Sequence, residues 1–128
     1  MSIANEKKFP SLILGDDGIF REYHFDSIIS KPCAMFVADE RNRLSDRKRP
    51  LLVQFQHLKG YAAETRDMNL NFVLNSVSAL AYAVDITTKE GQDTKELIDS
   101  FFHITNWPIP VKIFDDEDKA LQWLATFL

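Results

Sequence analysis

Histidine and cysteine are the residue types here that most readily bind metals or act as nucleophiles, and the chain holds three histidines and one cysteine. His24, His57 and His103 lie far apart and lack the short spacing of a metal-binding motif. We therefore predict no metal site. Cys33 stands beside Ala34 near a predicted helix start, and we interpret it as a small buried core residue without a catalytic role.

The four glycines do not form a phosphate-binding motif. They stand at positions 15, 18, 60 and 91, where no two lie close together after a strand, as a Walker loop or a dinucleotide fingerprint requires. The chain also lacks the Gly-x-Ser-x-Gly sequence of the α/β-hydrolases. We therefore predict no catalytic residues and no cofactor.

The loop over residues 57–66 is the best place to look for a binding site, because it directly follows a sheet strand predicted over residues 51–56. Loops at such strand ends contact ligands in open α/β sheets. Its candidate binding residues are His57, Lys59, Gly60, Tyr61, Thr65 and Arg66. An enzyme would also have to use this region, with Glu64 as the carboxylate, and would need a group with a shifted pKa. An exposed turn without a ligand is the alternative.

Two charged stretches are interpreted as helix termini. The basic residues after the first predicted helical turns are Arg41, Arg43, Arg47, Lys48 and Arg49. Acidic residues are interleaved with them, and cations are favoured at a helix C-terminus, so we interpret the group as a solvated face. Binding of a phosphate, an acidic partner or a membrane surface is the alternative. The four carboxylates over residues 115–118 are interpreted as the N-terminal cap of the last helix.

The overall charge and apolar content predict a soluble, cytoplasmic protein. A net charge of −4 argues against nonspecific nucleic-acid binding, which needs a positive field. The longest apolar stretch, residues 79–84, is far shorter than the roughly 20 residues that span a bilayer. The N-terminus has no apolar signal-peptide segment, and the single cysteine agrees with a reducing compartment.

Hydrophobic periodicity predicts the element order ββαβαβαβα. Strands are predicted over residues 9–14, 19–25, 51–56, 78–86 and 111–114. Helices are predicted from Pro32 to before Pro50, over residues 62–75, from a capping box at Asp93 and Glu96, and after the acidic cap. Asp-Asp-Gly over residues 16–18 predicts a hairpin turn. This order indicates one domain over residues 1–128, with an α/β fold, a single mixed β-sheet and layered helices.

The C-terminal third resembles the STAS-type, anti-sigma-factor-antagonist-like (SpoIIAA-like) small proteins. The resemblance rests on Phe101 and Phe102, followed by residues 107–124, in which a strand ending in Phe114 leads to an acidic cap and Ala-Leu-x-Trp-Leu. It covers roughly residues 100–128, and the rest of the chain matches in element order. It implies a STAS-like fold in a bacterial protein of uncharacterised function.

The resemblance does not extend to the phosphorylation site of the signalling members. In those proteins, a phosphorylated serine stands at the start of the helix after the strand equivalent to residues 51–56. The stretch 57–66 of this chain has no serine, and Thr65 lies too far into the predicted helix. The phospho-switch is therefore not carried over to any residue.

These observations favour a non-enzymatic interaction module that binds a protein partner or itself, for example as a homodimer. The alternative is a carrier of a small apolar molecule or lipid. Its pocket would be lined by aromatic side chains, with Phe72, Tyr82, Phe101, Phe102 and Trp107 as candidates. An enzyme is the third hypothesis, since the chain shows no recognisable catalytic motif.

Overall fold

The computed structural model describes residues 10–25, 28–56, 58, 60–61, 66–104 and 107–128, with the backbone alone described for residues 28, 61, 66–70 and 101–104. Along these ranges the elements are, in chain order, β1 (Ser11–Leu14), β2 (Phe20–His24), β3 (Ile28–Ile29), α1 (Lys31–Leu44), β4 (Arg49–Phe55), β5 (Gly60–Tyr61), α2 (Arg66–Ser76), β6 (Val77–Ala83), α3 (Lys89–Ile104), β7 (Val111–Phe114) and α4 (Glu117–Ala125). The predicted order holds once the two-residue strands β3 and β5 are added.

The long strands form one mixed five-stranded sheet in the order β1-β2-β4-β6-β7. β1 runs antiparallel to β2, whereas β2, β4, β6 and β7 pair in parallel. Parallel neighbours need crossover connections, which α1, α2 and α3 supply. The predicted α/β fold with a mixed sheet and layered helices is therefore confirmed. β3 and β5 form a separate short parallel ribbon that the sequence did not predict.

The Asp-Asp-Gly sequence makes the tight turn between β1 and β2 that it predicts. Gly18 has a φ of 83°, a left-handed conformation that glycine adopts without steric strain. Its N–H donates to the carbonyl of Gly15 at 3.0 Å. Asp17 accepts from the backbone N–H of Ile19 at 3.2 Å, and from both terminal nitrogens of Arg21 at 2.8 and 2.9 Å. The turn thereby fixes the antiparallel register of β1 on β2.

The two faces of the sheet carry separate apolar layers. On one face, α1, α2 and α3 cover a core whose buried members include Phe20, Leu51, Val53, Val73, Leu80, Tyr82 and Ile98. On the opposite face, α4 covers a smaller core of Ile19, Leu52, Ala79, Ala81, Ala120 and Leu124. Because successive strand residues point to opposite faces, each strand contributes alternately to the two layers.

The third helix begins one turn earlier than its predicted capping box. α3 starts at Lys89, where the hydroxyl oxygen of Thr88 accepts from the backbone N–H of Gly91 at 3.0 Å. Asp93 lies inside the helix, and its carboxylate accepts from Nζ of Lys89 at 2.9 Å. The predicted start at Asp93 and Glu96 was therefore wrong, because Thr88 supplies the cap upstream.

Other predicted boundaries differ from the structure by a few residues. β4 begins at Arg49 and so includes Pro50, which the prediction placed before the strand. β6 spans Val77–Ala83, where the prediction was 78–86, whereas β7 has its predicted bounds. The predicted start of α2 at residue 62 lies outside the described residues, and the described helix begins at Arg66.

Candidate functional site

A cluster of buried polar side chains lies between α1 and the sheet. Glu22 and His24 project from β2, Arg41 from α1, and Ser76 from the end of α2; their exposed fractions are 7%, 4%, 1% and 4%. The period of two along β2 places Glu22 and His24 on the same face as buried Phe20. We call these four polar residues the buried polar cluster.

The cluster is connected by short hydrogen bonds. His24 donates from Nε2 to one carboxylate oxygen of Glu22 at 2.5 Å, and Arg41 donates from Nη1 to the other at 2.8 Å. Arg41 also donates from Nε to the hydroxyl of Ser76 at 2.8 Å. That hydroxyl in turn donates to the carbonyl of Phe72 at 3.2 Å. The cluster therefore links α1, α2 and β2 across an otherwise apolar interface.

Two opposing effects act on the carboxyl group of Glu22. Burial raises its pKa, because a carboxylate loses hydration inside the protein. The charges and hydrogen bonds of His24 and Arg41 lower it, and together they outweigh burial, so that the pKa of Glu22 lies below its usual value of 4.5. Glu22 is thus the charged counterpart of the Arg41 guanidinium at neutral pH.

A small cavity of about 30 Å³ adjoins the cluster. The ring of His24 stacks on Phe55 with a centroid distance of 5.3 Å, and Phe55 stacks on Tyr82 at 5.8 Å, so aromatic side chains form one wall. This volume is about that of one water molecule. A carboxylate and a histidine are suited to acid–base chemistry, but this space does not accommodate an organic substrate beside them. The arrangement instead ties the helices to the sheet.

The structure corrects the sequence interpretation of the basic stretch in one respect. Arg43, Arg47 and Lys48 are exposed and Arg49 is half-buried, as a solvated face requires. Arg41, however, is buried and belongs to the cluster. The overlooked signal is helical spacing: Arg41 follows Ala34 and Val37 by seven and four residues, and therefore lies on their buried face. The adjacent arginines and lysine obscured that position.

The predicted binding loop is described in part. Gly60 and Tyr61 form β5 and pair with Ile28 and Ile29 of β3, so the predicted turn at position 60 is a short strand. Arg66 begins α2. The remaining candidates, His57, Lys59 and Thr65, lie outside the described residues, as does Glu64. A binding role for this loop therefore stays a prediction.

The other residues singled out by type have separate locations. Cys33 is buried near the start of α1, as predicted for a core residue. His24 lies in the buried polar cluster, His57 lies outside the described residues, and the side chain of His103 is not described. Within the described ranges, no group of three or more histidine, cysteine or acidic side chains is placed to hold a metal ion.

Of the helices in those ranges, none combines the length and the apolar character needed to cross a membrane.

The predicted acidic cap of the last helix is confirmed. Asp116 is the N-cap residue of α4, and its carboxylate accepts from the backbone N–H groups of Asp118 at 2.6 Å and Lys119 at 3.4 Å. Glu117 and Asp118 add negative charge to the first turn, where the helix dipole favours it. The carboxylates at this position therefore have a complete structural explanation.

Among the described residues, no helix covers one end of the sheet on the α4 face. α4 packs on β4, β6 and β7, while β1 and the end of β2 project beyond it. Ile13 of β1 is 55% exposed. Phe25, which directly follows β2, is 37% exposed, and its ring lies 4.9 Å from that of Tyr23. We call Ile13, Tyr23 and Phe25 the uncovered patch.

The two edges of the sheet differ in charge. Among the described residues, no strand pairs with the outer edge of β1 or with that of β7. β7 carries exposed Lys112, whereas β1 reads Ser-Leu-Ile-Leu and has no charged side chain. Natural proteins commonly protect an edge with a lysine, because a charged side chain opposes pairing with another chain. β1 therefore presents backbone hydrogen-bonding groups without that protection.

The chain matches a known protein family over most of its length. A family described as "Domain of unknown function (DUF7793)" matches residues 12–128. The chain belongs to this family. No curated protein matches the chain. The DUF7793 description states no function.

The DUF7793 chain also resembles a solved structure. This is the crystal structure of an uncharacterised protein of the DUF3478 family, with a SpoIIAA-like fold, from Shewanella loihica PV-4. The TM-score is 0.51 and the sequence identity 15%, with 90% of this chain and 91% of the other covered. At this identity the likeness establishes the fold alone, and it confirms the SpoIIAA-like fold that the sequence resemblance implied.

Proposed function

We propose that this DUF7793 domain is a non-enzymatic protein-interaction module that binds by accepting an additional β-strand at the outer edge of β1. The observation that carries the proposal is the uncharged, partly exposed edge strand next to the uncovered patch. An edge strand presents a row of N–H and C=O groups, and a partner strand satisfies them by main-chain hydrogen bonding.

The uncovered patch determines what kind of strand fits. In the register of β1 on β2, Ile13 is paired with Arg21 and Ser11 with Tyr23, so Ile13 and Tyr23 face the α4 side together. A partner strand in register with β1 places every second side chain on this side. We therefore expect an extended segment whose apolar residues alternate with polar ones.

The carrier hypothesis receives less support from the interior. A pocket for a drug-sized ligand needs about 300–1,000 Å³. The cavity beside Tyr82 and Trp107 measures about 30 Å³. A larger groove of about 770 Å³ lies along α3, but charged and polar side chains line most of it, and none of the described aromatic candidates does. Phe72 is half-buried, and the side chains of Phe101 and Phe102 are not described. Tyr82, Phe72 and Trp107 thus serve chiefly as core residues.

The cellular setting is part of the same proposal. We place the module in the bacterial cytoplasm, supported by its single cysteine, which is buried, and by a fold neighbour from Shewanella. A regulatory role for the interaction is in keeping with the STAS-like resemblance, although Thr65 and its neighbours supply no phosphorylation motif.

Titration with a synthetic strand peptide tests the proposal. The probe is Lys-Thr-Val-Thr-Val-Thr-Lys, and its matched control replaces the central threonine with proline, which removes a backbone donor. Two-dimensional amide spectra of the labelled full chain should show shifts confined to β1, β2 and the uncovered patch with the first peptide and not with the second. Shifts centred on Gly60 and Arg66 would place the binding site at the predicted loop and contradict the proposal.

A further inference from the structure

We infer that the cavity beside the buried polar cluster binds one ordered water molecule, which accepts a hydrogen bond from Nη2 of Arg41. A buried donor on Arg41, the size of the cavity and the acceptor capacity of Glu22 each support this site. The inference goes beyond the proposed function, because it concerns the interface between α1 and the sheet and does not depend on the edge of β1.

The first observation is an N–H donor of Arg41 that finds no acceptor among the described residues. Nη1 donates to Glu22 and Nε donates to Ser76, whereas Nη2 is buried and makes no hydrogen bond. A guanidinium stays protonated in proteins, so Nη2 remains a donor at every pH at which the chain folds. Buried donors are nearly always paired with protein or with ordered water, because an unpaired one loses its hydration without replacement. We therefore expect an acceptor next to Nη2.

The second observation is the size of the cavity. Arg41, Glu22 and His24 all line it, and its volume is about 30 Å³. One water molecule needs roughly 10–15 Å³ of such space, whereas a pocket for a drug-sized organic molecule has about 300 Å³ or more. The cavity therefore limits its ligand to a species of about the size of water.

The third observation is an acceptor for the protons of the water itself. A buried water typically makes about three hydrogen bonds to polar groups around it. The carboxylate of Glu22 offers about four lone-pair positions, and His24 and Arg41 occupy two of them. A water that accepts from Nη2 and donates to Glu22 would connect the two members of the ion pair a second time.

The charges of the ion pair favour a neutral ligand. An anion in this cavity would lie close to the carboxylate of Glu22, and a cation would lie close to the guanidinium of Arg41. Either ion would also lose its hydration on entering the interior, which is costly. Water avoids both costs, and it alone combines donor and acceptor groups at this size. A halide is the alternative that the experiment has to distinguish.

A high-resolution crystal structure of the full chain tests the inference directly. We expect an electron-density peak about 2.7–3.2 Å from Nη2 of Arg41, which is the usual hydrogen-bond distance. A second crystal soaked in sodium bromide distinguishes water from a halide, because bromide gives an anomalous signal and water does not. An anomalous peak at Nη2, or the absence of any peak there, would overturn the inference.

Oxygen-17 magnetic relaxation dispersion tests the site in solution, because it counts water molecules that exchange slowly with the solvent. Val37 lines the cavity, and Val37→Ile adds a methyl group to its wall, which should displace the water and lower the count by one. The matched control is Val77→Ile. Val77 is also buried in the core on this face of the sheet, but it is not among the described residues that line the cavity, so the count should stay at the wild-type value.

Arg41→Met removes the donor and should lower the count in the same way. Because this replacement breaks a buried ion pair, Val37→Ile keeps the test decisive if Arg41→Met does not fold. Circular dichroism of each variant should match wild type, which separates loss of the water from loss of folding. Equal counts in wild type, Val37→Ile and a folded Arg41→Met would contradict the inference.

Discussion

The guanidinium of Arg41 is almost fully removed from bulk water, and the hydrogen bonds of Nη1 to Glu22 and of Nε to Ser76 compensate for part of that loss, while Nη2 is buried without a hydrogen bond to the described residues. Replacing Arg41 by methionine leaves the buried carboxylate of Glu22 without its guanidinium partner. We expect Arg41→Met to lower the free energy of unfolding by about 3–5 kcal/mol, measured by urea denaturation. Arg43→Met, which removes an exposed arginine that pairs with Glu40 on the same helix, should change it little.

A double replacement shows whether unpaired charge is the cause. Glu22→Met combined with Arg41→Met removes both charges, so neither stays buried alone. Replacing a whole buried ion pair by apolar side chains is often much less destabilising than breaking it. The double variant should therefore unfold at higher urea than Arg41→Met. A double variant that is less stable than Arg41→Met would show that packing, and not charge, dominates at this position.

The lowered pKa of Glu22 predicts a particular dependence of stability on pH. Because the folded-state pKa lies below the usual 4.5, folding is favoured by ionised Glu22 above that value. This contribution is lost as the pH falls from about 4.5 through the lowered pKa. The stability difference between wild type and Glu22→Gln should be constant at neutral pH and shrink in acid. A difference that grows on acidification would contradict the sign of the shift.

The buried polar cluster also shows what the sequence reveals about single residues. Arg41 was recognisable from its helical spacing after Ala34 and Val37, and Glu22 from its alternation with Phe20. Neither signal indicates that the two meet, because β2 and α1 contact each other only through the tertiary fold. A polar residue at a position that the hydrophobic pattern marks as buried can therefore be recognised from the sequence. The side chain with which it pairs can be identified only from the structure.

At the scale of elements, the N-terminal cap of α4 is open to a direct test. Asp116→Ala removes the carboxylate that accepts from two backbone N–H groups, and we expect a loss of about 1 kcal/mol in the free energy of unfolding. Asp115→Ala is the control, because this carboxylate contacts the side chain of Lys119 at 3.3 Å, whereas the cap of the helix is Asp116. Equal losses in both variants would point to general charge effects in place of capping.

The elements themselves differ in how well their sequence predicts them. β7 has its predicted bounds, since Pro110 and the acidic cap delimit it on both sides. The start of α3 was misplaced because Thr88 and Asp93 are both suitable caps, and only the local turn at Asp85 decides between them. The strands β3 and β5 escaped prediction because two residues are too few to show a period.

At the scale of the whole molecule, the order of the long elements and their layering followed from hydrophobic periodicity and from the rule for parallel crossovers. The unequal covering of the two faces of the sheet did not follow from these patterns. It arises because three helices lie on one face of the sheet and α4 alone lies on the other, among the described residues. The exposed position of Ile13 is thus a property of the assembled sheet, since its own strand reads as ordinary apolar sequence.

The last prediction concerns this assembled sheet. If the edge of β1 accepts a strand, the peptide Lys-Thr-Val-Thr-Val-Thr-Lys binds the folded chain and not the unfolded chain, and mass action raises the melting temperature as peptide is added. We expect the wild-type melting temperature to rise steadily across a roughly hundredfold increase in peptide concentration, as followed by circular dichroism. For Ile13→Lys it should stay constant, because a charged side chain on an edge strand opposes pairing, whereas Ile86→Lys, at another exposed isoleucine, should follow wild type. A wild-type melting temperature that does not respond to the peptide would mean that the edge of β1 does not accept a strand.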